Sequence, residues 1–376
     1  MLLARPTWAE VNLANLVHNF LFFRTNTEKK VMAVVKADAY GHGAVMVAKK
    51  LQEVGADYLA VASLEEALIL RENQITLPIL VFGYIREECF HEVAKNDITI
   101  SLFQQAQIEE ITNFVEREKK PLKIHVKIDT GMNRVGLKTE EFLSIIKKVK
   151  ANEWLNLEGI YSHYASADEE DEEFSSYQQD RFLSILQLLK EEKIIIPLIH
   201  MANTAGSIHY SNTELAKLYN MVRVGIGLYG YSPSIEVKNL FTELKPLLTF
   251  KSKIVMLKKI KPNEGVGYGQ VFKADAEEVI ATIPVGYADG LPRQLSNKGE
   301  VLIRGVKAPI VGRISMDQIT VKVTHIKNVS LYDEVVIYGK QKTEEINVEQ
   351  VAEQLNTISY ELLCRIGNRV PRIYTP

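Results

Sequence analysis

The sequence predicts an α/β protein, a barrel of eight parallel strands each followed by a helix, with a mostly β domain after it. Three observations support this. Short β-branched runs alternate with helix-period segments from about residue 31 to 230, the pattern of parallel strands joined by crossover helices. Eight such units in roughly 200 to 250 residues match the size of a (β/α)8 TIM barrel. After Tyr231 the runs follow one another without helices between them.

The strand candidates begin at Val31 (VMAVVKA), Tyr58 (YLAVAS), Pro78 (PILVFGY), Ile98 (ITISL), Lys123 (KIHVKID), Leu157 (LEGIYSHY), Pro197 (PLIHMAN) and Met221 (MVRVGIG). Stretches such as EEITNFVEREKK and EFLSIIKKVK carry apolar residues every three or four positions and read as crossover helices. The acidic run Asp168 to Glu173 is expected to open another, where carboxylates favour the helix dipole. FKSKIVML, EVIATIPVGY, EVLIRGVKAPIVG, QITVKV and DEVVIYG form the later β-rich part, interrupted by a helical segment around Val348 to Leu355. The barrel is assigned to residues 11–235. The β-rich domain takes 236–376 together with 1–10, whose alternation suits a strand joining that domain.

Composition narrows the function. A net charge of -2 and scattered lysine doublets give no basic face for nucleic acid. Only Cys89 and Cys364 are present, in no metal-ligand spacing, so neither a disulfide framework nor a metal site is expected. No apolar run is long enough to span a bilayer, and a reducing cytoplasm fits the cysteine usage. A small-molecule substrate is the expectation that remains.

In such a barrel the loops at the carboxyl ends of the strands form the active face. Lys36 ends the first strand, Arg134 follows the fifth, His163 ends the sixth, Asn203 and Thr204 end the seventh, and Arg223 lies in the eighth. A lysine closing an apolar strand is either a snorkelling surface side chain or an amine whose desolvation favours the neutral, nucleophilic form. Gly225 to Gly230 matches the spelling G-x-G-x-x-G, yet Tyr231-Ser232-Pro233-Ser234 follows where a dinucleotide fold needs a helix. Those glycines read either as turn and packing residues or as a backbone approach to a phosphate.

Nine segments in order, AVVKADAYGHG, KIDTGMNRVG, SHYASAD, HMANTAG, RVGIGLYG, GVGYGQ, IPVGYADGLPR, GRISMDQ and ISYELLCRIGNRVPRIY, resemble the successive signatures of the alanine racemases. The resemblance covers almost the whole chain. It implies an isomerase interconverting L- and D-alanine on pyridoxal 5'-phosphate, supplying D-alanine for peptidoglycan, and working as a homodimer with composite active sites. Residue by residue, it implies that Lys36 binds the cofactor as an internal aldimine and serves as one base, with Tyr268 of the opposite subunit as the other. Tyr40, Asn203, Thr204, the backbone of Gly225 and Ile226, and Tyr360 belong to the cofactor site. Arg223 then faces the pyridine nitrogen with His163 beside it; Arg134 reaches the cofactor phenol, and the backbone of Met316 meets the substrate carboxylate. Tyr287, Tyr360, Asp168, Arg293 and Arg313 match residues lining a narrow access channel, and Lys127 matches a lysine often carried as a carbamate.

Racemisation needs a base on each face of the α-carbon, which is why an amine and a phenol from different domains are wanted together. Three departures from the commonest family pattern, Thr204 for serine, Ser315 for cysteine and Asn133 for a small residue, remove no functional group. A racemase of broader specificity, a fold-related decarboxylase and a catalytically silent cofactor-binding protein are the competing readings. Tyr360, the lack of a cysteine-bearing acidic-glycine segment, and the presence of both Lys36 and Tyr268 weigh against them in turn.

Overall fold

The computed structural model describes residues 4–376, so the start of the expected N-terminal strand, Met1 to Leu3, lies outside the described residues. The chain forms two compact units. One contains residues 16–39 and 44–245; the other contains the described residues up to Asn15, residues 40–43, and residues 246–376.

In the first unit eight parallel strands close into a barrel: β2 (Lys30–Val34), β3 (Tyr58–Val61), β4 (Ile79–Val81), β5 (Ile98–Leu102), β6 (Leu122–Lys127), β7 (Leu155–Tyr161), β8 (Leu198–His200) and β9 (Met221–Val224). All eight expected runs are strands. Covered by helices outside and side chains inside, they are apolar almost throughout, and Met32, Leu59, Leu80, Ile124 and Val222 have no solvent contact. The crossover helix Gln105–Glu118 packs Ile108, Ile111, Phe114 and Val115 inward, and Phe142–Ala151 does the same with Phe142, Ile145, Ile146 and Val149.

The acidic run is placed differently from the expectation. The helix there is Glu173–Glu191, with Glu172 at its cap position, so Asp168 to Asp171 precede it. Asp171 accepts a hydrogen bond from the Glu173 N–H at 2.9 Å, using a carboxylate to occupy a donor that a helix start leaves open.

The second unit is built on a seven-stranded sheet. Its strands β1 (Thr7–Asn12), β10 (Leu248–Lys253), β15 (Glu300–Ile303), β16 (Val306–Pro309), β18 (Glu334–Gln341) and β20 (Arg372–Thr375) run in the order β16-β15-β18-β10-β1-β20, with β19 (Glu344–Ile346) pairing β18. β1 pairs antiparallel with β10 and parallel with β20. A three-stranded sheet joins β11 (Met256–Ile260), β14 (Glu278–Ile283) and β17 (Ile319–Lys322), and β12 (Gly265–Val266) pairs β13 (Phe272–Lys273). Helices Val348–Gln354 and Ser359–Cys364 interrupt the β structure near its end.

A polar line runs through the barrel core. Arg223 Nη1 donates to His200 Nδ1 at 2.8 Å, which leaves the His200 proton on Nε2 to be donated to His125 Nδ1 at 2.9 Å. The His125 proton then sits on Nε2, 4.0 Å from the Glu158 carboxylate. Burial and the charge of Arg223 push His125 down to about 3 and His200 well below the usual range, so both rings stay neutral. Gly159, paired with His125 across β6 and β7, makes room for the ring: a Cβ there would lie 2.7 Å from it.

Two outcomes are expected. Gly159→Ala forces the His125 ring aside and lowers stability by about 1–3 kcal/mol, measured by denaturant unfolding. The depressed imidazoles bind protons only when the barrel opens, so their contribution is intact above about pH 6.5 and is lost as pH falls below it, approaching ~1.4 kcal/mol per pH unit for each ring. Melting midpoints recorded from pH 7 to pH 5 should fall accordingly, and His125→Asn should flatten that slope.

Candidate active site at the carboxyl ends of the barrel strands

Lys36 follows β2 at the head of a turn, Lys36–Gly41, that winds left-handed. Ala37, Asp38, Ala39 and Tyr40 have φ of 52° to 53°, and Gly41 follows at 80°. Such a conformation costs an L-residue roughly 1–2 kcal/mol, so neighbours must enforce it. Glu66 does so by accepting from the N–H of Ala37 and of Ala62, both at 2.7 Å, while Asp38 accepts from Ala44 at 2.8 Å. Tyr229 adds a bond from its hydroxyl to the Val34 carbonyl at 2.8 Å, tying the end of β2 to the segment after β9.

Arg223 is a cation held inside the barrel, only 3% exposed. Besides His200, its guanidinium donates to the Ser162 carbonyl at 2.7 Å, His163 Nδ1 at 2.8 Å and the Met201 carbonyl at 2.9 Å. Hydrogens on Nη1 and Nε remain for a further acceptor. Burial lowers its pKa to about 10, which keeps it charged at neutral pH. Tyr161 lies flat beneath this group, stacked on His200 at 4.9 Å and 5.2 Å from the guanidinium carbon.

His163 receives the Arg223 bond on Nδ1, so its own proton is on Nε2 and available to donate. Burial, then the charges of Arg223, Lys127, Arg134 and Lys36, hold its pKa well below the usual range. Lys36 after β2, Lys127 at the end of β6, Arg134 on the loop that follows and Arg223 in β9 all stand toward the carboxyl end of the barrel. Lys127 is buried against Tyr161, its amine 5.9 Å from the ring. Burial and the charges of Arg134 and Arg223 lower its pKa to about 8. Arg134 is exposed on the loop after β6, where Asp129 Oδ1 accepts the N–H of Gly131 at 2.9 Å and of Asn133 at 3.1 Å.

Asn203 caps the short helix Thr204–His209 through the Gly206 N–H at 2.9 Å. Thr204 Oγ1 accepts from the N–H of Gly225 at 3.0 Å and of Gly227 at 3.5 Å, so its own hydroxyl proton points elsewhere. The Ile226 N–H meets no acceptor among the described residues. Gly227 must be glycine, since a Cβ would lie 2.4 Å from Phe23 and 2.7 Å from Thr204 Cγ2. A hydroxyl donor and an open N–H beside a chain reversal suit a phosphate oxygen.

The remaining candidates belong to the second unit. Tyr40 and Tyr360 have ring centres 5.9 Å apart, and burial raises the Tyr40 phenol well above its ordinary range. Tyr268 is 71% exposed in the turn Tyr268–Gln270, whose Gly269 lies against the Arg313 guanidinium. Met316 is 52% exposed, with an N–H that finds no acceptor among the described residues. Sequence reading passed over His200, His125 and Ser162, although two histidines inside apolar strands, in KIHVKID and PLIHMAN, were a visible signal. No cluster of three or more metal-ligating side chains occurs among the described residues, and no helix there is long and apolar enough to cross a membrane.

Residues 11–233 match the family described as alanine racemase, N-terminal domain, and residues 247–374 match alanine racemase, C-terminal domain. The chain is 43% identical to alanine racemase 2 of Bacillus subtilis (strain 168) over 379 residues, covering 99% of this chain and 95% of that protein. It is 44% identical to alanine racemase of Methanococcus maripaludis over 376 residues, covering 99% and 100%. The solved alanine racemase of Clostridium difficile 630 superposes with a TM-score of 0.93 at 39% identity, covering 100% of this chain and 97% of that one. That of E. faecalis gives 0.91 at 32% identity over 100% of both chains. With both domain families matched in order along nearly its whole length, this chain belongs to the alanine racemase family.

Proposed function

We propose that this enzyme interconverts L- and D-alanine by a two-base mechanism, with pyridoxal 5'-phosphate as cofactor. The observation that carries the proposal is the placing of Lys36, Arg134, His163 and Arg223 at the carboxyl ends of the barrel strands, with Arg223 bonded to His163 and with the donor set of Thr204 and Ile226 at the ends of β8 and β9.

The donor set fits the cofactor. Thr204 with the backbone at Gly225 and Ile226 would hold its phosphate, with Asn203, Tyr40 and Tyr360 completing the site, Lys36 anchoring its aldehyde end and Arg134 meeting its phenol. When bound, pyridoxal phosphate supplies the electron sink that makes a substrate α-proton acidic. Arg223 would present a permanent cation to the ring nitrogen of the bound cofactor and so disfavour its protonation, which would limit side reactions. Both imidazoles on Arg223 are neutral acceptors, and this keeps the guanidinium fixed and charged.

Lys36 takes or returns the α-proton on one face, and the phenol of the partner subunit's Tyr268 acts on the other. His163 keeps an Nε2–H that would donate to that phenol's oxygen. Met316 offers its N–H to the substrate carboxylate. The high exposure of Tyr268 and Met316 within a single chain agrees with a homodimer whose sites are completed by a second copy. A narrow channel lined by Tyr287, Tyr360, Asp168, Arg293 and Arg313 favours alanine. The two cysteines fit a cytoplasmic enzyme, and D-alanine supply for peptidoglycan is its proposed role.

Lys36→Ala should abolish both the visible cofactor absorbance and D-alanine formation from L-alanine. A variant that keeps both overturns the assignment. Lys127, with a partly neutral amine near pH 8 and two arginines beside it, is proposed to add carbon dioxide and become a carbamate anion, releasing a proton. A sample equilibrated with 13C-bicarbonate should show a carbamate resonance that is missing from Lys127→Met.

A further inference from the structure

Asp289 has no solvent contact, 0% exposed, in the turn Tyr287–Asp289 of the second unit. A buried carboxylate is strongly disfavoured unless its lone pairs are met by donors. Here Oδ1 accepts from Arg5 Nη2 at 2.5 Å and Arg369 Nε at 2.8 Å, and Oδ2 accepts from Arg5 Nη1 at 3.0 Å and the Gly286 N–H at 2.9 Å.

The turn held in this way grips the segment that carries Met316. Tyr287 N–H donates to the Ser315 carbonyl and Ala288 N–H to the Met316 carbonyl, both at 3.1 Å. Gly286 packs so closely that a Cβ would lie 2.3 Å from the Met316 oxygen. From the other side, Arg369 Nη2 donates to Asp317 at 2.6 Å. The carbonyls of Ser315 and Met316 are thereby occupied, while the Met316 N–H stays open.

We propose that Asp289, clamped between Arg5 and Arg369, is a positioning residue that sets the Met316 N–H for the substrate carboxylate. It acts through backbone and touches no reacting atom. This rests on the reading of Met316 given above. Asparagine at 289 would turn an amide NH2 toward two N–H donors, so the turn must shift and the Met316 segment with it. A carboxylate that binds there loses its contact, whereas an amine that needs only the cofactor does not.

The test uses the holoenzyme and three probes: propionate, the equally sized neutral propionamide, and ethylamine, which lacks a carboxylate. Wild type should bind propionate more tightly than propionamide. Asp289→Asn should weaken propionate and raise the KM for alanine about tenfold, with kcat within about threefold and ethylamine affinity unchanged. Arg5→Met, at a side chain 30% exposed, should act in the same direction, and Arg5→Lys should recover part of the loss. If Asp289→Asn does not fold, the Arg5 pair decides alone. Unchanged propionate affinity in the variants, in an enzyme that prefers propionate, overturns the clamp. Equal weakening of all probes, with the cofactor absorbance lost, means a merely structural role and also overturns it. A wild type blind to the difference between propionate and propionamide instead overturns the carboxylate reading beneath it.

Discussion

One buried cation organises the barrel's active end. Arg223 would be strongly disfavoured in so enclosed a place without acceptors, and the chain provides two carbonyls and two imidazoles. Those imidazoles can accept only while neutral, and burial, with the cation's own field added, keeps them so. The arrangement is therefore self-consistent: the charge selects the tautomers that solvate it. It also leaves His163 with a donor on the side away from Arg223, and sets the sequence of protons along His200 and His125.

The two units solve different problems. In the barrel the strand ends carry cations from distant stretches of chain, and the charges of Arg134 and Arg223 act on Lys127, a field that favours anionic or neutral guests. In the second unit the relevant groups stand on short turns between strands, each fixed by glycine at a tight spot, as at Gly269 against Arg313 and Gly286 against Met316. Rigid scaffolding underneath allows exposed residues to be accurately placed.

Much of the architecture was legible because parallel strands buried on both faces must be written as continuous apolar runs, and all eight were. The later β-rich part was equally plain from strand runs that follow one another with no helix between them. The acidic run misled, since carboxylates that cap a helix from the preceding loop look in sequence like carboxylates in its first turn. The positions of Lys36, His163, Thr204 and Arg223 at strand ends followed from the strands themselves. What joins them did not. That His200 accepts from Arg223 depends on a contact between two strands, β8 and β9, whose facing is set by barrel closure and not by any local pattern. Asp289 was hidden for the same reason: Arg5 lies 284 residues away along the chain.

The hand of the turn after Lys36 was illegible too, because Ala37 and Ala39 are residues that ordinarily favour the opposite winding. For an L-residue the left-handed basin is small as well as uphill, so a run of four offers far fewer alternative shapes than a glycine loop would. The segment that follows Lys36 is consequently stiff, and its stiffness is borrowed from Glu66 and Asp38. Loosening of those two carboxylate contacts would let the run relax toward ordinary backbone and turn the amine away from its station, even with every barrel strand still in register.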